Sequence, residues 1–137
     1  MKKLWIIAFS LSLLSGCAAT LGFFSAVSSD KVLERLDETL NLYDASIRWG
    51  AYDKVLLVQK DRGNVPDYDA LKPVKVTTVR ELSKIMSEDD QQCDRRVEIS
   101  YYRDGENIVK TLVDTQTWDY ESDREVWLLD GGLPDFQ

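Results

Sequence analysis

The sequence predicts an α+β domain in which a long N-terminal amphipathic helix and one or two short helices pack on a curved four-stranded antiparallel sheet. Three observations predict it. Apolar residues recur at helical spacing after Asp30, β-branched residues become frequent after Pro73, and turn sequences divide the second half into strands. Helices followed by strands along the chain are typical of the α+β class. The domain is expected to cover residues 30–137.

The first helix is expected to begin at Ser29 or Asp30, since either side chain can cap an N-terminus, and to end at Gly50. Apolar residues recur in it at steps of three and four, which places them on one face. They are Leu33, Leu36, Leu40, Tyr43 and Ile47. Two shorter helical segments are predicted after it, over residues 51–60 and 66–71.

Four strands are predicted, over residues 74–86, 95–103, 107–120 and 125–130. The second has the clearest pattern, because Val97, Ile99 and Tyr101 alternate with polar or amphipathic residues. Asp104-Gly105 is a strong hairpin signal between the second and third strands. Short connections of this kind predict that neighbouring strands in the chain pair antiparallel.

The first 17 residues resemble a bacterial lipoprotein signal peptide. Lys2 and Lys3 form a positive start, residues 4–14 are apolar, and Leu14-Ser15-Gly16-Cys17 has the order of a lipobox. The apolar stretch is too short to cross a bilayer, which takes about 20 residues, but it suits the central region of a secretory signal. An ordinary secretory signal with an accidental cysteine is the alternative.

The resemblance implies that residues 1–16 are removed and that Cys17 carries acyl chains, with residues 17–29 as the lipidated cysteine and a tether. Several acyl chains hold a protein stably on a membrane surface without a membrane span. Ala18 stands where an aspartate would retain such a protein in the inner membrane. The resemblance therefore implies the periplasmic face of an outer membrane if the cell has one, and otherwise the cell membrane.

Composition narrows the function classes. The chain has 17 basic and 24 acidic residues, a net charge of −7. Loss of residues 1–16 would remove two lysines and no acid and leave −9. This charge disfavours nucleic acid and anionic lipid surfaces as partners. The absence of histidine excludes Ser-His-Asp and Cys-His catalysis and the commonest zinc ligand, and no cofactor is expected.

Cys93 is the other cysteine, and it has no internal disulfide partner if Cys17 is lipidated. A small packed residue is the preferred interpretation, although neighbouring Arg95 and Arg96 leave a reactive thiol as the alternative. The acid clusters at residues 88–90 and 119–123 lack the ligand spacing of an EF-hand loop. They are interpreted as solvated turns, and no metal site is expected.

Four aromatic residues are candidate contacts for a ligand or a partner: Trp49, Tyr52, Trp118 and Tyr120. For Trp49, as for Trp127, packing between helix and sheet is the preferred interpretation. Trp118 and Tyr120 are expected to share a strand face that mixes aromatic with polar and acidic side chains. Such a face predicts either a protein contact surface or an ordinary solvated sheet.

Two stretches, "ASIRWGAYDKV" (residues 45–55) and "EVWLLDGGLPDF" (125–136), resemble the NTF2-like, cystatin-related superfamily. The resemblance implies a helix that ends at an aromatic-glycine break, a closing strand, and a sheet that often forms homodimers. Residues 51–73 lack the hairpin of the full domain, which implies a reduced or cystatin-like version. Enzymes of this superfamily such as ketosteroid isomerases use a carboxylate base and a tyrosine or acid in a cavity. Candidate residues for those roles are Tyr43, Asp44, Tyr52, Asp53, Tyr101, Asp114 and Tyr120.

The expected function is therefore that of a membrane-anchored, non-enzymatic envelope lipoprotein that binds or assembles with an envelope protein of unknown identity. The alternative is a small apolar ligand binder or isomerase-type enzyme that uses an NTF2-like cavity. A filled core favours the first hypothesis, and a closed apolar cavity with a buried carboxylate favours the second.

Overall fold

The computed structural model of the chain describes residues 19–63 and 66–137, with side chains from residue 29 onward. The predicted signal peptide and Cys17 lie outside these residues. The described elements are α1 (Ala19–Trp49), α2 (Tyr52–Leu57), α3 (Tyr68–Leu71), β1 (Val74–Met86), β2 (Gln92–Arg103), β3 (Lys110–Glu121) and β4 (Val126–Asp130). All four strands pair antiparallel in the order β1-β2-β3-β4. The prediction of an α+β domain with a four-stranded antiparallel sheet is confirmed.

Helix α1 starts at Ala19, earlier than the expected start at Ser29 or Asp30, so residues 19–29 are helical here. That segment contains no proline and a single glycine, which leaves little to interrupt a helix. The buried stripe of α1 starts at Val32, whereas Leu33 is only half buried. It continues through Leu36, Leu40, Tyr43 and Ile47.

The end of α1 is fixed by a Schellman motif, which orients everything that follows. The Gly50 amide donates to the Ile47 carbonyl at 3.2 Å, and the Ala51 amide donates to the Ser46 carbonyl at 2.8 Å. Gly50 has φ of +66°, a left-handed conformation that glycine adopts without a steric penalty. Because the chain turns sharply here, α2 begins only two residues later and packs on α1.

The core lies between the α1 stripe and the inner face of the sheet. Alternation along β2 places Cys93, Arg95, Val97, Ile99 and Tyr101 on that face, and all five side chains are buried. From β4, Trp127 is buried as predicted, and its indole Nε1–H donates to the Val32 carbonyl at 2.9 Å. From α2, Val55 completes the same cluster.

The two edges of the sheet differ. At β4, the Leu129 amide donates to the Val58 carbonyl at 2.7 Å, and the Lys60 amide donates to the Leu129 carbonyl at 2.9 Å. The chain after α2 therefore occupies that edge at Leu129. At the opposite edge, β1 has two register shifts, between Val76 and Thr78 and between Glu81 and Ser83, and no strand of residues 19–63 or 66–137 lies outside it.

None of the helices in residues 19–63 and 66–137 is both long and apolar enough to cross a membrane.

Candidate functional site

A groove of about 590 Å³ lies where the end of α1, the two short helices and the free edge of β1 meet. We call it the edge groove. Four aromatic residues line it (Trp49, Tyr52, Tyr68 and Tyr102), together with the basic residues Arg48, Lys72 and Lys75, Gly50, Leu71 and residues 74–77 of β1. Its volume is in the range of binding pockets, about 300–1,000 Å³.

Trp49 is the most exposed large apolar side chain of the described chain, at 83%. The preferred interpretation from the sequence, packing between helix and sheet, is therefore wrong for this residue. The reason is angular. Each helical residue turns about 100°, so Trp49 lies about 200° around the axis from buried Ile47 and faces away from the sheet. The Schellman motif then ends the helix before another turn can cover the indole.

Tyr52, the first residue of α2, also lines the edge groove. Its side chain is only 6% exposed, and its hydroxyl has no hydrogen-bond partner in the described chain. Burial raises its pKa, because the phenolate would lose hydration. Of the four predicted contact residues, Trp49 and Tyr52 are the two that the structure brings together.

The charge of the edge groove is opposite to that of the protein. Arg48, Lys72 and Lys75 line it, and no described acidic residue does, although the whole chain carries −7. Lys72 pairs with Asp69 at 2.6 Å and Lys75 pairs with Asp104 at 3.5 Å. Neither aspartate is among the residues that line the groove. Arg48 makes no ion pair with any described residue.

The backbone of β1 forms part of the edge groove. Val74 and Val76 point to the inner face and are buried, whereas Lys75 and Thr77 point outward and are exposed. Residues from both faces can line one groove only where it runs along the strand edge. The Asp104 amide donates to the Pro73 carbonyl at 2.8 Å, which makes Pro73 and Asp104 a hydrogen-bonded pair. By antiparallel alternation, the amides and carbonyls of Val74 and Val76 point away from β2.

Trp118 lies elsewhere, in the core. It is 0% exposed, its ring meets Tyr43 edge-to-face at 5.3 Å, and its indole donates to the Gln116 side-chain oxygen at 3.1 Å. The mixed strand face expected from the sequence is therefore an interior face, and Trp118 is not part of a contact surface. Tyr120, half buried, leans on Trp127 with ring centroids 5.3 Å apart.

Arg95 is the centre of a buried polar network that sequence reasoning did not identify as such. Its guanidinium donates to both carboxylate oxygens of Asp44, at 2.9 and 2.7 Å, and to Glu81 at 2.8 Å. It also reaches the Gln116 side-chain oxygen at 3.4 Å. The sequence does indicate that Arg95 is buried, because it lies between Cys93 and Val97 at an inward-facing position of the β2 alternation.

The carboxylate and tyrosine candidates for isomerase-type chemistry are partly assembled beside this network. Tyr43 is buried with an unpartnered hydroxyl, and its pKa is raised by burial and by the nearby carboxylates of Asp114 and Asp44. Burial also raises the pKa of Asp114, which accepts a hydrogen bond from Gln116 at 2.8 Å. Fully buried side chains, including Trp118, Leu36 and Ile99, fill the interior around them.

The remaining candidates lie apart. Asp53 is exposed on α2. The Tyr101 hydroxyl donates a hydrogen bond to the carbonyl of Gln137 at 2.8 Å, and its ring packs edge-to-face on Phe136. Tyr101 therefore holds residues 136–137 against β2. Cys93 is 0% exposed, and burial raises its thiol pKa, which opposes the reactive alternative.

In the described residues, no group of three or more cysteine, aspartate or glutamate side chains is arranged to hold a metal ion. The turn around Glu88 and Asp89 is instead closed by its own hydrogen bonds, with the Ser87 hydroxyl donating to Asp89 at 2.6 Å. The neighbouring Gln91 amide donates to the same carboxylate at 3.2 Å.

No protein-family model matches the chain, and no match was found among curated proteins or solved structures.

Proposed function

We propose that this protein is a lipid-anchored bacterial envelope protein that acts by binding another protein at a membrane surface. The observation that carries the proposal is the edge groove, where the exposed side chain of Trp49 lies among other aromatic and basic residues. Tryptophan, tyrosine and arginine are enriched among the residues that dominate protein interfaces.

The anchor is inferred from the lipobox-like sequence that ends at Cys17. Acyl chains there would confine the domain to one leaflet and raise its effective concentration for a membrane-bound partner. Trp49 is at the far end of α1, whose 31 residues span about 46 Å. The edge groove is thus remote from the anchor, which leaves it open to a partner.

The fold is proposed to be a reduced NTF2-like or cystatin-like domain with a long N-terminal amphipathic helix. In support, α1 packs its buried stripe against the sheet and ends at Trp49-Gly50, and β4 is followed by the Asp130-Gly131 turn. The segment between α1 and β1 holds two short helices rather than a hairpin, in keeping with a reduced version.

A second candidate is a small-ligand binder or an isomerase-type enzyme. The observation in its favour is Asp114, a carboxyl with a raised pKa near the unpartnered hydroxyl of Tyr43. Proton transfer requires substrate at that pair, however, and fully buried aromatic and aliphatic side chains surround it. The edge groove does not include Asp114, so substrate bound there would not meet the carboxylate.

Fractionation of cells that express the full chain or Cys17→Ser tests the anchor. The wild-type chain should be recovered with membranes, and the variant should be soluble or unprocessed. Identical fractionation of the two would refute lipidation.

Site-specific photo-crosslinking in intact cells tests the binding function. A photoreactive residue at Thr77, in the edge groove, should capture a defined envelope protein, whereas one at Thr115, exposed on the outer face of β3, should not. Absence of any protein crosslink from Thr77 would contradict the proposal.

A further inference from the structure

We infer that the edge groove binds an extended acidic segment of the partner protein, which adds as a short strand to the free edge of β1. This inference rests on the proposed protein-binding function and specifies the chemistry of the partner. It follows from three features of one site: the unpaired backbone groups of Val74 and Val76, the basic lining, and the exposed indole of Trp49.

The backbone geometry favours an extended peptide. The amides and carbonyls of Val74 and Val76 point away from β2, at the free edge of the sheet. No other described backbone group pairs with them. Unpaired edge groups of this kind are a template for strand addition. The register shift between Val76 and Thr78 ends the regular ladder there. Pairing is therefore limited to about three residues, a length of roughly 10 Å.

The charges favour an acidic peptide. A strand beside residues 74–76 lies in the groove that Lys75 and Arg48 line, and Arg48 has no carboxylate partner in the described chain. A glutamate or aspartate of the peptide can supply that partner with a charge-assisted hydrogen bond. A basic peptide would meet like charges at close range, and such juxtaposition opposes binding.

The aromatic walls favour an apolar side chain next to the acidic ones. In an extended peptide successive side chains point to opposite sides. If one side chain is acidic and faces Arg48 or Lys75, the next side chain faces a different part of the groove lining. Trp49 and Tyr68 offer exposed ring surface for that second side chain. The expected recognition sequence alternates acidic residues with β-branched or aromatic ones.

A second copy of the chain is a poorer occupant of this edge. Antiparallel pairing of two β1 edges would bring two copies of Lys75 and Arg48 together, and like charges at an interface are destabilising. Charge complementarity therefore selects an acidic chain rather than this one.

The test is to pan a display library of random peptides against the full chain, purified in mild detergent. Enriched peptides should carry an excess of aspartate and glutamate alternating with apolar residues. Their affinity should fall about tenfold for Arg48→Glu, the loss expected for one charge-assisted contact. Arg96→Glu is the matched control, because it changes the charge equally on the outer face of β2 and should leave affinity unchanged.

Backbone pairing has its own test. Single N-methyl groups placed along the selected peptide remove one amide donor at a time, and alternate positions should lose about tenfold in affinity. Uniform tolerance of N-methylation would overturn strand addition. Enrichment of peptides without acidic excess, failure to enrich any, or equal losses from the two arginine variants would overturn the acidic occupant. A dimer of the chain that is abolished by Arg48→Glu would identify a second copy instead and overturn the inference.

If a residue at Thr77 crosslinks to an envelope protein but panning enriches no acidic peptides, the protein-binding function stands and the acidic, extended occupant is wrong. If panning enriches acidic peptides but Cys17→Ser fractionates like the wild-type chain, the lipid anchor is wrong and the binding role of the edge groove stands.

Discussion

Arg95 of β2 and Asp44 of α1 form a bidentate ion pair inside the domain, with Nη1···Oδ1 at 2.9 Å and Nη2···Oδ2 at 2.7 Å. The Arg95 side chain is only 4% exposed. The pair joins the helix to the second strand across the interior of the domain, beside the apolar core cluster. It also fixes the position of Gln116, which accepts from both Arg95 and Trp118.

Asp44→Asn should lower the free energy of unfolding by about 3 kcal/mol, because it leaves a buried guanidinium without its main counter-charge. The matched variant is Glu81→Gln, which removes the second carboxylate of the same arginine. Glu81 is more exposed than Asp44, so solvent already screens it and the loss should stay below about 1 kcal/mol. Urea unfolding of both variants measures the difference. Equal losses would show that Asp44 has no special role.

Asp114→Asn should alter how stability depends on pH. Burial favours the protonated carboxyl, so the folded chain holds this proton to higher pH than the unfolded chain does. The contribution of Asp114 to stability therefore falls as pH rises from about its ordinary value of 3.8 through the raised pKa of the folded state. The variant should gain stability relative to wild type at pH 7 and lose that advantage in strong acid. A constant difference at all pH values would contradict the assigned pKa direction.

Trp49→Ala should leave stability within about 0.5 kcal/mol of wild type, since the indole has few contacts to lose. Trp118→Ala is the contrasting variant and should cost about 3–5 kcal/mol, because it leaves a cavity beside Tyr43. Thermal unfolding followed by circular dichroism measures both. In fluorescence, the component quenched by iodide should disappear in the Trp49 variant. Persistent quenching would place another indole at the surface.

The Cys93 thiol should resist alkylation in the folded protein and react only after unfolding. Its side chain is fully buried on the inner face of β2, and its pKa is raised, so both access and thiolate population are low. A thiol-reactive reagent followed by mass spectrometry, with and without urea, measures the protection. Cys17→Ser serves as the background so that one thiol is counted. Rapid labelling without urea would restore the reactive-cysteine hypothesis.

The fold was largely predictable because periodicity reports burial directly. The α1 stripe from Leu36 to Ile47 and the alternation of β2 both have that signal, and both are buried where it placed them. Trp49 shows where residue type misleads. Its size suggested packing, but its angle on the helix and the glycine after it decide its exposure. Trp118 shows the converse, because polar neighbours such as Gln116 and Asp114 suggested a surface face.

The edge groove itself was not predictable from the sequence, apart from two of its residues. It joins residues from the end of α1 with β1 residues about 25 positions later, and no local pattern reports that two such segments meet. Its free backbone edge depends on strand order, which follows from the tertiary structure. The basic lining was equally hidden, because Arg48, Lys72 and Lys75 are dispersed in an acidic sequence.

The difference between the two sheet edges sets a limit on assembly. Leu129 of β4 already shares its amide and carbonyl with Val58 and Lys60, whereas β1 retains unshared groups at Val74 and Val76. In the language of polymer chemistry, growth through strand pairing requires monomers with two reactive ends, and the two ends of this sheet are unequal. A strand that joins at β1 meets unshared backbone groups, whereas one that joins at β4 must first displace the bonds of Leu129, so growth in both directions is disfavoured in the part of the chain that the structure describes.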